Sequence, residues 1–288
     1  MNVRAYTPDD AEALAALARA DEELYYRRRS HVQAEDVTDW LSKSKESWLF
    51  EDGDRLVAAG WSGVWGETGL IVGVVADKGQ GIGSDIVARA EAFLADKDIA
   101  KTHAIAQEPD ERARALFESH GYAEVRRFYD MAVELDAQPP QPVVPGDLVI
   151  DDFRIEESRA FQSAINEAFQ DHWDWQALSY EEWWELRKND DHSLWFVVRD
   201  GDEIAAAVRN EANRHGGGYL AVIGVRRPWR GRGLAKALLH RSFGEFWTRG
   251  ITRVTLGVDA ESPTGATHLY EGVGMFVESA TVVFEKRR

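Results

Sequence analysis

The chain contains no cysteine, which removes disulfides, thiolate metal sites and cysteine nucleophiles together. Basic residues are scarce: 34 Lys and Arg stand against 50 Asp and Glu, for a formal charge of -16 and a pI near 5.0. Nucleic acid and anionic membrane surfaces reward clustered Lys and Arg, so neither is expected as a partner. A cationic or neutral small molecule fits better. No run approaches the roughly 18 uninterrupted apolar residues of a spanning helix, and the first ten residues carry no apolar core of signal-peptide length. A soluble, cytoplasmic protein is expected. Proline is rare too: of eight, four fall in one short segment, Pro139, Pro140, Pro142 and Pro145.

What is present is ample material for cores. The 288 residues are 44% hydrophobic and include 11 Trp, 12 Phe and 8 Tyr, well inside the globular range. That length is about twice a common domain, so two domains are the default. The proline-rich segment follows a strand-like alternation at 128–135 and reads as a linker over 138–147, separating domains at 1–137 and 148–288.

The same order of elements appears on both sides of this linker. A short β-rich segment (3–6; 148–153) leads into an amphipathic helix (9–19; 156–169), as the spacing of Leu14, Leu17 and of Phe161, Ile165, Phe169 suggests. Hairpins follow around Asp52-Gly53-Asp54 and Asp200-Gly201-Asp202. An apolar strand then runs into a glycine turn and a helix: 70–75 before Gly79-Gln80-Gly81-Ile82-Gly83, and 220–225 before Arg230-Gly231-Arg232-Gly233-Leu234-Ala235. The glycine turns, Gly79 and Gly231, lie 152 residues apart, and Phe117 and Tyr270 lie 153 apart. Matching order at matching offset indicates a duplication.

The second turn is the better candidate for chemistry. A strand ending in Arg230-Gly231-Arg232-Gly233, with a helix predicted over 234–247, presents successive backbone N–H groups beyond the helix N-terminus. Gly231 and Gly233 allow close backbone approach, and Arg230 and Arg232 add charge-assisted donors. A pyrophosphate is the natural guest. The glycines come after several strands and not after the first, which is unlike a dinucleotide-binding fold.

Residues 225–235, Val-Arg-Arg-Pro-Trp-Arg-Gly-Arg-Gly-Leu-Ala, resemble the coenzyme A pyrophosphate motif of the GCN5-related N-acetyltransferase (GNAT) superfamily. Residues 264–275, with Leu269-Tyr270 and Gly274, resemble that family's late helix. The resemblance implies an α/β fold of α+β type: two tandem acyl-CoA N-acyltransferase domains, each a mixed, mostly antiparallel sheet flanked by helices. It implies acetyl-CoA, or another short acyl-CoA, as cofactor. The first half is eroded, with Lys78 where the family has Arg or Gln and Phe117 in place of the tyrosine. A degenerate N-terminal copy is similar to the mycothiol synthase type of acetyltransferase.

In this family the acceptor amine attacks the thioester directly. The resemblance then assigns Ile223, Gly224 and Val225, with Leu234 and Ala235, to cofactor contacts, Ser262 to a position where relatives carry a contacting Asn, and Tyr270 to protonation of the departing thiolate. Gln80, Gly81, Ile82 and Gly83 form a possible second cofactor site. Phe117 cannot donate a proton, so the first copy is expected to be silent. The fourth strand carries no carboxylate over 220–223. Glu211, with His215 beside it, is the remaining candidate base. Deprotonating an alkylammonium at pH 7 costs about 4.6 kcal/mol, against about 1.4 for an α-amino group, which favours an acceptor of low pKa. Asp171, Trp173 and Trp175 suit a cationic or aromatic amine, with core packing of the neighbouring aromatics as the alternative. No metal is expected: Asp171 and His172 lack a third partner. A small-molecule amine acceptor and a monomer or homodimer are expected; a non-catalytic acyl-CoA-binding module and a protein N-acetyltransferase remain the competing functions.

Overall fold

The protein is described by a computed structural model that covers every residue except 27–29, 43, 77 and 78. The first half runs β1 (Asn2–Arg4), α1 (Ala11–Tyr26), α2 (Ala34–Ser42), β2 (Glu46–Asp52), β3 (Arg55–Trp65), β4 (Thr68–Val75), α3 (Ile82–Leu94), β5 (Lys101–Gln107), α4 (Glu111–Ser119) and β6 (Ala123–Glu134). The second runs β7 (Val149–Asp152), α5 (Ser158–Phe169), α6 (Tyr180–Arg187), β8 (Trp195–Asp200), β9 (Glu203–Arg214), β10 (Gly217–Val225), α7 (Leu234–Thr248), β11 (Arg253–Asp259), α8 (Ala266–Glu271) and β12 (Phe276–Arg287). The first helix of each half begins two residues later than expected, because a 3-10 turn precedes it at Pro8–Asp10 and at Ile155–Glu157. The duplicated order of elements and the mixed sheet flanked by helices are as expected. Among the described residues no helix is long and apolar enough to cross a membrane.

Contacts divide the chain into two compact units, Met1–Tyr129 with Glu278–Arg288, and Asp130–Val277. The division departs from a simple split at the 138–147 linker, because each half gives up its last strand. β12 pairs antiparallel with β5 over Thr281↔Gln107 to Arg287↔Lys101, so the end of the chain completes the first unit. Tyr26 Oη donates to Ala280 O at 2.5 Å and accepts from Ala280 N at 3.0 Å, and Lys286 reaches Glu91 at 2.9 Å. The end of β6 lies in the second unit, beside β11: Leu135 N donates to Thr252 O at 2.6 Å, and Arg253 Nη1 to Glu134 at 2.9 Å. A strand edge is closed by whichever segment presents matching N–H and C=O groups, whatever its place in the chain.

The first unit's strand order is β1-β2-β3-β4-β5-β12, with one apolar layer of Leu14, Val37 and Leu49 and another of Val87, Leu94, Phe117 and Phe284. The second unit's order is β7-β8-β9-β10-β11-β6. β8 is apolar at four successive positions, Trp195–Val198, all fully buried, because α5 and α7 both pack on β8 or its neighbour β9. α7 seats Leu238, Phe243 and Phe246 on the sheet. Each such side chain contributes about 1.5–3 kcal/mol when fully buried.

Two glycines set how closely α5 and α7 approach β10. A Cβ on Gly218 would lie 2.7 Å from the Phe246 ring, and one on Gly224 would lie 2.7 Å from Ala168 Cβ.

Candidate active site

β10 and β11 are parallel and register only at Gly218↔Val254 and Tyr219↔Thr255; beyond that pair the two strands diverge. β10 nevertheless continues to Val225, held on its other edge by β9 through Ile223↔Val208, Gly224↔Ala207 and Val225↔Ala206. A register shift between Leu220 and Val222 marks a β-bulge at the start of the divergence, where such irregularities re-aim a strand. The predicted cofactor segment Ile223–Val225 therefore keeps one edge of its backbone on the side from which β11 has withdrawn. An extended ligand can pair there as an added strand.

The strand leads into the glycine loop. Gly231 has φ +75° and Gly233, which caps α7, has φ +80°, with no atom within 4 Å of a built Cβ at either. The left-handed conformation and the open space beside it are what an anion needs to reach the backbone N–H groups at the start of α7. Leu234 is buried and anchors the helix, and Ala235 is half-buried next to it.

The two loop arginines divide the work. Arg230 donates through Nε to Val225 O at 3.1 Å, through Nη2 to Ala168 O at 2.9 Å and through Nη1 to Asp171 at 3.1 Å, so most of its donors fasten the loop to β10 and α5. Arg232 is exposed and forms no ion pair among the described residues; it is the loop's available cation. Asp171 is also held by Arg227 Nη2 at 2.5 Å, and these two arginines keep its carboxyl below the usual range. Its carboxylate is thus engaged by Arg227 and by Arg230 of the glycine loop.

The aromatic segment behaves in two ways. Trp183 packs against Phe161 (6.3 Å) and Trp195 (5.9 Å), and Trp184 stacks on His192 (5.5 Å), so these half-buried rings lie against the core. Trp175 is 38% exposed and rests on Phe169 at 4.7 Å, while Trp173 is half-buried. His172 stacks on Phe169 at 4.2 Å; burial lowers its pKa, with Asp259 opposing.

Tyr270 lies on α8 and is only 7% exposed. Burial, and then the neighbouring Tyr219, push its hydroxyl pKa well up. Among the described residues nothing hydrogen-bonds its hydroxyl. The equivalent Phe117 is buried against Phe284 at 5.3 Å, within the core of the first unit. Ser262 bonds to Thr264 Oγ1 at 2.8 Å and receives Thr264 N at 3.4 Å, forming a turn ahead of α8.

Glu211 sits on β9 between two guanidiniums. It contacts Arg209 Nη1 closely and Arg214 Nη1 at 3.0 Å. Burial raises its pKa, but the two arginines outweigh burial and hold it at about 2. A carboxylate so stabilised is a weak base. His215, with φ +50°, is a turn residue whose ring meets Tyr219 edge-on at 5.4 Å.

Sequence reasoning overlooked one carboxylate and one phenol. Asp130, at the exchanged end of β6, is exposed, and Tyr219 is the last residue of β10 paired with β11. Both surround Gly257 of β11: a Cβ built there would lie 3.6 Å from Tyr219 Oη and 3.9 Å from Asp130 Oδ1.

The first unit repeats the loop geometry, with Gly79 at φ +94° and Gly81, the cap of α3, at φ +79°, both with open space. Gln80 is exposed, Ile82 is buried, and Gly83 packs toward Leu116. Lys78 lies outside the described residues.

Comparison with known proteins agrees with this geometry. The acetyltransferase (GNAT) family model matches residues 13–122 and 153–275. A crystal structure of a GCN5-related N-acetyltransferase from Sphaerobacter thermophilus is 30% identical, with a TM-score of 0.87 over 99% of this chain and 95% of that one. Two mycothiol acetyltransferases are similar in sequence: one from Cellulomonas flavigena, 26% identical over 71% of this chain, and one from Corynebacterium efficiens, 30% identical over 60%. The chain matches 63% and 62% of those relatives' own lengths. With two matched regions that each contain a left-handed glycine loop at the head of a helix, the chain belongs to the GNAT acetyltransferase family.

Proposed function

We propose that the protein transfers an acetyl or other short acyl group from coenzyme A to a primary amine of a small metabolite, in the second of two family copies, 1–137 and 148–288. The observation that carries this reading is the divergence of β10 from β11 directly before a glycine loop whose Cβ positions are open. Gly231, Arg232 and Gly233 with the start of α7 would hold the pyrophosphate, and the β10 edge at Ile223–Val225 the extended arm. Acetyl-CoA, when bound there, supplies an activated acyl thioester.

The chain's own groups then have three tasks. The divergent β10 backbone fixes the reacting carbonyl, and positioning of this kind is worth about 7–11 kcal/mol. A backbone N–H aimed at the developing oxyanion adds roughly 3 kcal/mol. Tyr270 Oη, kept protonated by burial, holds the proton needed on departure of the leaving group. Its raised pKa makes it a reluctant donor, so the transfer needs water to be excluded. Glu211 is a poor candidate for the base, because a group titrating near 2 competes weakly for a proton on an amine of pKa about 8. An acceptor of low pKa, or a carboxylate elsewhere, is required.

Substituting Tyr270→Phe tests the assignment. We expect kcat to fall about 10²–10⁴-fold, the usual span for a general acid, while acetyl-CoA affinity is retained. An unchanged kcat removes Tyr270 from the chemistry.

The weak base at Glu211 favours one competing function, a non-catalytic acyl-CoA-binding protein. Stoichiometric acetyl-CoA binding with no thiol release across an amine panel would select it.

A further inference from the structure

The acetyl-transfer reading leaves unassigned the group that takes the acceptor's proton, since Glu211 is held at about 2 and the fourth strand carries no carboxylate over 220–223. We propose that the imidazole of His172, on the turn that follows α5, is that proton acceptor. The inference rests on that reading of the function.

The His172 ring stacks on Phe169 at 4.2 Å, and Phe169 Cε2 lies 3.4 Å from where a Cβ on Gly224 would stand. The imidazole is thus one ring away from the β10 segment that would hold the thioester arm. It also feels the charges of Asp259, the last residue of β11, and of Arg230 in the glycine loop. These neighbours put it beside the opening left where β10 and β11 separate. The turn that carries it is fastened in place. His172 N donates to Phe169 O at 2.9 Å, Trp175 N donates to His172 O at 3.3 Å, and the adjacent Asp171 is engaged by Arg227 and Arg230.

Among the described residues neither ring nitrogen of His172 makes a hydrogen bond, and neither is sealed from solvent. The second unit's other histidines are occupied: His192 by Arg187 O at 2.9 Å, His215 by Arg214 Nε at 3.4 Å, His240 by the backbone of Gln141 and His268 by Glu271 at 3.2 Å. Burial lowers the His172 pKa; Asp259 and Asp171 oppose the shift and Arg230 adds to it. The ring is therefore neutral at pH 7, with a lone pair to offer. Such a base suits an acceptor of low pKa, whose nitrogen is itself uncharged in a useful fraction at that pH.

In the transfer, the amine nitrogen forms the new C–N bond to the acyl carbon as the C–S bond breaks and its electron pair leaves with sulfur. His172 takes the proton that the nitrogen loses, directly or through one water, and Tyr270 gives one to the sulfur. One proton passing from His172 to solvent and one from solvent to Tyr270 reset the pair.

The test uses His172→Phe in the full chain, which keeps a ring to stack on Phe169 and removes the base; His172→Asn replaces it where the phenylalanine variant fails to fold. Glycinamide, ethanolamine and putrescine are assayed with acetyl-CoA across pH, and acetyl-CoA binding is measured by calorimetry. We expect glycinamide to be acetylated, with wild-type kcat lost on the acid side through a group titrating below 6.5. In the variant that limb disappears and kcat falls about 10²-fold or more, while acetyl-CoA affinity stays within about twofold of wild type. A second readout needs no turnover: the His172 C–H resonances, identified by their loss in the variant, titrate below 6.5 in proton NMR and move when coenzyme A fills the neighbouring opening. Unchanged kcat and pH profile in the variant, a resonance indifferent to coenzyme A, or no acetylation of any of the three amines by protein that binds acetyl-CoA overturns the role of His172 and leaves the acetyl-CoA site standing. Failure of the wild type to bind acetyl-CoA removes both.

Discussion

Glu211 shows how a residue type and a residue's chemistry can part company. The sequence offers it as the most plausible carboxylate near a fourth strand that has none, yet the fold places Arg209 and Arg214 against it and draws its pKa from the ordinary 4.5 to about 2. A depressed carboxyl contributes stability above its unfolded pKa and loses it as pH falls through the folded value. The Glu211 contribution is therefore full above about pH 4.5 and gone near pH 2. A shift of that size corresponds to roughly 3 kcal/mol. Glu211→Gln is accordingly expected to cost about that much at pH 7 in denaturant unfolding, with the difference from wild type closing toward pH 2. A constant difference across that range would mean the ion pairs are not the cause. Asp130 is the converse case: nothing in its sequence neighbourhood marks it, because Gly257, whose hypothetical Cβ would lie 3.9 Å from its carboxylate, is far downstream in the chain.

At the scale of elements, the glycine positions carry most of what could be read in advance. The strand, the Gly-x-Gly turn and the helix behind it are local features, and the observed α7 at Leu234–Thr248 ends one residue beyond its expected limit. The divergence of β10 from β11 could not be read, since register between strands depends on partners far away in sequence. Nor could the division between Arg230 and Arg232, which depends on the end of α5 supplying Ala168 O to Arg230. Gly224 ties these elements together. A methyl there would press on Ala168 at 2.7 Å, so Gly224→Ala should destabilise by about 1–3 kcal/mol, the usual cost of overpacking, as measured by thermal or urea unfolding. It should also push α5, and with it the anchor of Arg230, away from the loop. An unperturbed melting temperature would show that α5 yields there at little cost.

At the scale of the molecule, the duplication was legible from offsets of 152 and 153 residues, but the exchange of final strands was not. Both copies end in a strand of similar pattern, and chain order alone does not say which sheet each one joins. The exchange has a physical consequence. Residues 1–137 made alone would lack β12 and expose the edge of β5, an open strand edge of the kind that promotes aggregation. We expect that fragment to be insoluble or poorly folded by circular dichroism, and to be rescued by co-expression of 138–288; a cooperative, monomeric 1–137 fragment would show that β12 is dispensable.

The most direct test of the functional account is calorimetric titration of acetyl-CoA into wild type and Gly233→Glu, with thermal melts of both. Gly233 combines a left-handed φ of +80° with open space before α7, so the new carboxylate would strain the loop and repel a pyrophosphate. We expect stoichiometric binding to one site in the second copy, abolished in the variant while its melt stays cooperative. Absence of binding to the wild type, or equal binding to a folded variant, would contradict the assignment of this loop as the coenzyme A site.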